Sequence, residues 1–174
     1  MESSQKGFIP VMLTPFLSNG NIDYPALTQL TEIYLQAGST GLFANCLSSE
    51  MFELSDAERI EAIKHVIKVV DGAVPVVATG TFGGPITQQA DFVKKVYDTG
   101  TEAVIAITSL LAEEQEADEV FNERVFDLLK QTDDIPLGFY ECPVPYKRVL
   151  TPNQLRDFVA TERIIYHKHT CLDI

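Results

Sequence analysis

The sequence predicts an α/β fold, a (β/α)8 TIM barrel of which the first six β/α units are present. Three observations predict it. Apolar strand-like runs begin near residues 8, 40, 75, 103, 136 and 164, a recurrence of about thirty residues, the size of a βαβ unit. The runs are apolar nearly throughout, as parallel strands buried on both faces are. The segment after the first run, Thr14-Pro15-Phe16-Leu17-Ser18-Asn19-Gly20, lacks the GxGxxG loop that an open dinucleotide-binding sheet carries there. A barrel has eight strands, so a chain with six is read as incomplete. It starts naturally at Met1 with a short polar lead and stops just after the sixth strand. Residues 1–174 are therefore expected to be the N-terminal portion of a single barrel domain.

The elements follow in order. Phe8 to Leu13 is the first strand and Tyr24 to Ala37 the first helix. Thr40 to Asn45 is the second strand. Ser55 is an N-cap, and Glu58 three residues later completes a capping box for a helix that runs to about Val70. Pro75 to Gly80 is the third strand, followed by Thr79-Gly80-Thr81-Phe82-Gly83-Gly84, whose glycines have turn spacing rather than phosphate-loop spacing. Thr87 to Tyr97 forms the third helix. Ala103 to Thr108 is the fourth strand and Asp118 to Gln131 the fourth helix. The fifth strand, Pro136 to Tyr140, leads to a helix opened by the cap Thr151 and an N1 proline, Pro152. The sixth strand is Ile164 to Lys168.

Composition narrows the function classes. The 174 residues are 45% hydrophobic and 22% charged, enough for one globular core. A formal net charge of −12 repels phosphate backbones and anionic lipid, which argues against nucleic acid and membrane as partners. No apolar run reaches membrane-span length, and no secretory leader is read. The odd cysteine count, Cys46, Cys142 and Cys171, suits free thiols in a reducing compartment, so a cytoplasmic location is expected. These cysteines and His169 each follow a strand, but they are scattered rather than paired as metal ligands usually are. No metal and no organic cofactor are expected.

In a barrel the chemistry lies at the carboxyl ends of the strands. Polar residues there are Asn45 with the Cys46 to Glu50 loop, Thr108-Ser109, Tyr140-Glu141-Cys142 and Lys168-His169-Thr170-Cys171. Alternation puts Ile164, Tyr166 and Lys168 on one face and His167, read as a packed histidine, on the other. It also groups Gly138, Tyr140 and Cys142, with Glu141 facing away. An ammonium at the end of an apolar strand is costly, and burial pulls a lysine towards the free amine that attacks carbonyls. Its plain alternative is a lysine that snorkels to water. An amine and a phenol on adjacent strands are the equipment of Schiff-base chemistry.

Taken together, Gly138-Phe139-Tyr140-Glu141-Cys142-Pro143 and Tyr166-His167-Lys168 resemble the dihydrodipicolinate synthase and N-acetylneuraminate lyase family of class I aldolase-type barrels. So do Leu13-Thr14-Pro15-Phe16, Ser48-Ser49-Glu50 with Leu54 and Glu58-Arg59, and Gly100-Thr101-Glu102-Ala103-Val104. The tyrosine and lysine of that family match Tyr140 and Lys168, at the family's separation (168 − 140 = 28). The resemblance implies that Lys168 forms an imine with pyruvate or another 2-oxo acid and that Tyr140 shuttles protons. It implies that the loop at Leu47 and Ser48 holds the substrate carboxylate by fixed donors. It also implies a homo-oligomer, dimer or tetramer, when full length.

The departures are specific. Leu47 replaces a relay hydroxyl. The family's Thr-Pro-Tyr-Tyr is Thr108-Ser109-Leu110-Leu111, so the relay tyrosine is lost at Leu111. The synthase arginine falls on Pro145, with Lys147 and Arg148 as candidate substitutes. The family's lysine-acid step becomes Lys168-His169. The expectation is a divergent Schiff-base lyase, aldolase or hydro-lyase rather than a true dihydrodipicolinate synthase. The alternative is a catalytically lapsed paralogue that binds a small ligand or a protein partner. A six-strand chain leaves two apolar edges, so residues 1–174 alone are expected to associate and to lack lyase activity.

Overall fold

The computed structural model describes residues 7–170. These residues form two compact units, one running through Ala78 with Thr99–Thr101, the other Thr79–Asp98 with Glu102 onward.

In the first unit, helix α1 (Tyr24–Gln36) is opened by Asp23, whose carboxylate accepts from Ala26 N–H at 3.0 Å. Strand β1 (Leu42–Ala44) pairs in parallel with β2 (Val76–Thr79) through Leu42↔Val76 to Ala44↔Ala78. Helix α2 (Asp56–Val70) carries the expected capping box. Ser55 N–H donates to Glu58 Oε2 at 2.8 Å, and Glu58 N–H donates to Ser55 Oγ at 3.3 Å. The expected first strand is corrected. Phe8 to Leu13 makes one parallel bridge, Val11↔Phe43, rather than a strand. Pro10 has no N–H to donate, which limits the ladder there. Its carbonyl still accepts from Phe43 N–H at 3.0 Å, and Met12 N–H donates back to Phe43 O at 3.0 Å.

In the second unit, helices α3 (Ile86–Tyr97), α4 (Asp118–Gln131) and α5 (Pro152–Val159) accompany β3 (Ala103–Ile107), β4 (Leu137–Tyr140) and β5 (Ile164–Lys168). The strands are parallel, β4 lying between β3 and β5. Phe121, Phe139 and Phe158 are buried together, with the Phe158 ring 6.1 Å from Phe121 and 5.4 Å from Phe139. Arg163 caps the end of α4. Its guanidinium donates to Leu129 O at 3.2 Å and to Ile135 O at 2.6 Å.

Strands β3 and β4 are buried at every residue, as expected. Strand β5 is not: Ile164 is buried, Ile165 is 49% exposed, and Tyr166 and Lys168 are half-buried. Within its unit β5 pairs along one edge, to β4, which leaves the other edge open. A bulge interrupts that pairing. Leu137 faces Ile164 but Gly138 faces Tyr166, so Ile165 is the extra residue.

Candidate active site

The second unit brings Lys168 and Tyr140 together. The two residues are register partners at the ends of β5 and β4, and Tyr140 pairs on its other side with Ile107. Partners in a parallel ladder project to the same face, so amine and ring share it. Lys168 Nζ lies over the Tyr140 ring, 4.7 Å from its centre. Tyr140 is buried and Lys168 half-buried.

Gly138 makes this face possible. A β-carbon there would stand 2.6 Å from Tyr166 Cβ and 2.7 Å from Ile105 Cδ1, so only hydrogen fits in the gap. Tyr166, opposite Gly138, has its phenol pushed above the usual range, first by burial and then by the Glu102 charge.

The hydroxyls after β3 serve the backbone. Thr108 Oγ1 donates to Arg148 O at 2.7 Å and approaches Tyr140 O at 3.4 Å. Ser109 Oγ lies 3.4 Å from Val144 O. Leu111 is buried in the core. Pro145 lines a groove of about 420 Å³ with Ser109, Leu110 and Tyr146.

Neither candidate substitute for the missing arginine is idle. Arg148 donates to Asp118 Oδ1 at 2.9 Å, to Glu113 O at 3.0 Å and to Glu116 O at 3.1 Å. Its guanidinium also lies 5.2 Å from the centre of the Phe121 ring. Lys147 Nζ donates to Thr170 O at 2.7 Å.

Leu47 and Ser48 belong to the first unit, in a single 3-10 turn, Leu47–Ser49. Leu47 is half-buried and Ser48 exposed. Ser49 is fixed beneath them. It donates to Met12 O at 2.8 Å and accepts from Cys46 N–H at 3.1 Å. Glu50 ends the turn in the left-handed region, at φ 55°.

The His167 side chain, read as packed from alternation, is 23% exposed, and its Nε2 lies 3.2 Å from the buried Glu141 Oε1. His169 Nδ1 lies 2.5 Å from Glu141 Oε2. Sequence reasoning placed Glu141 and His167 on the faces away from Tyr140 and Lys168 but did not join them. The signal was present, since residues alternating with register partners are neighbours too. Cys46 and Cys142 are buried, and Cys171 lies outside the described residues.

The sequence profile of the Dihydrodipicolinate synthetase family matches residues 4–174. The 4-hydroxy-tetrahydrodipicolinate synthase of Pseudoalteromonas atlantica is 25% identical over 169 residues, which is 97% of this chain and 56% of that protein. The prophage protein YagE of E. coli K12, of the dihydrodipicolinic acid synthase family and solved with pyruvate, superposes with a TM-score of 0.85. It is 22% identical over 98% of this chain and 56% of its own. N-acetylneuraminate lyase from Mycoplasma synoviae gives a TM-score of 0.77 at 20% identity, over 97% of this chain and 55% of its own. The chain thus spans little more than half the length of these relatives. At such identities the structures establish the fold, and it is the expected one: parallel β/α units of the barrel class.

Proposed function

We propose that this chain, which belongs to the Dihydrodipicolinate synthetase family, carries the nucleophile of a Schiff-base lyase or aldolase acting on pyruvate or another 2-oxo acid. The observation that carries the reading is the placement of Lys168 Nζ over the Tyr140 ring on adjacent strand ends. The amine of Lys168 adds to the ketone carbon of the acid, and loss of water leaves an imine. The Tyr140 hydroxyl carries the proton that the departing oxygen needs. The imine nitrogen then accepts the electron pair released when a bond at the neighbouring carbon breaks and returns it when a bond forms there, so the carbon–carbon or carbon–oxygen step calls on no cofactor.

A cytoplasmic location and a homo-oligomeric assembly belong to the same proposal. Exposed apolar residues support association: Phe8 and Leu13 in the first unit, at 65% and 53%, and Ile165 in the second. No helix among the described residues is long and apolar enough to cross a membrane.

Sodium borohydride with pyruvate tests the chemistry. In the full-length protein, reduction of the imine should fix the acid on Lys168 as a secondary amine, located by peptide mass spectrometry and lost in Lys168→Ala. Absence of an adduct with every 2-oxo acid tried, in folded protein, would overturn the reading and leave a binding-only barrel.

A further inference from the structure

We propose that Glu141, His167 and His169 bind one divalent transition-metal ion, on the opposite face of the strand ends from Lys168. The site was not expected from the sequence, where the scattered cysteines and His169 were the ligands considered.

One ligand atom from each of the three residues falls within 4.8 Å of the others. Glu141 is fully buried, while the His167 and His169 side chains are 23% and 43% exposed. A carboxylate shielded from water requires a partner. Its Oε1 has two, accepting from Leu150 N–H at 2.9 Å and lying 3.2 Å from His167 Nε2. Its Oε2 is buried and accepts no hydrogen bond from the described residues, although His169 Nδ1 stands 2.5 Å away. Two ligand atoms that close, without the alignment of a hydrogen bond, are directed past each other. A cation beside Oε2 would give that buried oxygen a partner.

The donor set selects the ion. Two imidazole nitrogens and one carboxylate suit zinc, cobalt, nickel or ferrous iron, whereas magnesium and calcium prefer oxygen alone. Metal–ligand bonds of about 2.0–2.2 Å put tetrahedral ligands roughly 3.3 Å apart. His167 already stands 3.2 Å from Glu141. His169, whose side chain is 43% exposed, need only turn outward. Water or a substrate group would fill the fourth position.

The support around the carboxylate is built as outer contacts of metal sites are. Glu141 N–H donates to Lys168 O at 3.2 Å, Thr170 Oγ1 donates to Glu141 O at 2.5 Å, and the Leu150 N–H holds Oε1. The ion would tie the end of β5 to the end of β4. The proposal does not depend on the lyase reading.

The test is metal binding by the purified protein, stripped with chelator and then titrated with zinc or cobalt. One equivalent should bind saturably and raise the unfolding temperature, cobalt should give a visible ligand-field band, and magnesium should do neither. His169→Ala and His167→Ala should each weaken zinc at least about tenfold while the metal-free protein unfolds as before. Glu141→Gln serves as a second variant with the shape preserved. No saturable binding would overturn the proposal. Binding that survives both histidine variants but disappears when the thiols are alkylated would do so too, by assigning the metal to cysteine. Borohydride trapping at Lys168 is read separately, so either proposal can fail alone.

Discussion

Lys168 Nζ stands over the face of the Tyr140 ring, 4.7 Å from its centre, with the two residues paired across β4 and β5. The tyrosine therefore has two separable parts: a ring that forms a wall for the amine and a hydroxyl that can move protons. Tyr140→Phe keeps the first and removes the second. Imine formation with pyruvate, followed by timed borohydride quenching, should slow by about 10²–10⁴, the usual contribution of a positioned acid–base group. An unchanged rate would take Tyr140 out of the proton path.

Condensation of pyruvate with aspartate semialdehyde should be weak or absent. Pro145 cannot offer the paired donors of an arginine. Arg148 is committed to Asp118 and two backbone carbonyls, and Lys147 to Thr170. A catalytic efficiency within about tenfold of an ordinary synthase, a barrier difference of about 1.4 kcal/mol, would mean that a different cation receives the second carboxylate.

Gly138→Ala should destabilise the second unit by about 1–3 kcal/mol, the range for overpacking a tight site. The added carbon would press on Tyr166 Cβ and, at 2.9 Å, on Tyr166 O. Because that carbonyl belongs to β5, the strand must move, and trapping at Lys168 should slow with it. Urea unfolding reads the first effect and borohydride the second. Unaltered values in both would show that β5 yields freely.

The capping box gives a pH-dependent term in the first unit. Hydrogen bonds from the Ser55 side chain and then its backbone hold the Glu58 carboxyl below its usual range. A carboxyl lowered by folding stabilises the fold fully above its unfolded value, and the contribution fades as pH falls through the folded value. Ser55→Ala should therefore lower the urea midpoint at neutral pH, and the gap from the parent should close on acidification below the ordinary glutamate range. A gap that stays constant would place the effect in the helix cap rather than in the charge.

The helices were legible because their caps are local. Asp118 to Gln131 appears as expected, and Ser55 with Glu58 and Thr151 with Pro152 mark helix starts correctly. The first strand was misread because apolar content outweighed Pro10. The two 3-10 turns, Leu47–Ser49 and Thr108–Leu110, left no periodic trace to read. Tyr140 and Lys168 were found through a motif, not through spacing. Glu141 and His167 were assigned to the right faces, yet their contact depends on how β4 and β5 are aligned, which no single strand encodes. Arg148 read as a spare cation, since its partners come from a segment some thirty positions away.

Strand pairing has a parity, and Ile165 sets it here. At the start of β5 the partner numbers differ by 27 (164 − 137), and at its end by 28 (168 − 140). Had the first offset run to the end, Tyr140 would face His167, and Lys168 would project to the side where Glu141 lies. The bulge thus decides which of two neighbouring side chains, Lys168 or His167, faces Tyr140. Excising Ile165 should straighten the ladder and leave the lysine opposite Tyr140, so the protein, if folded by circular dichroism, should still be trapped by borohydride at that lysine; loss of trapping would show that the bulge itself positions the amine. The spacing between tyrosine and lysine is in this sense a phase, and it has to be counted through the bulge rather than along a straight strand.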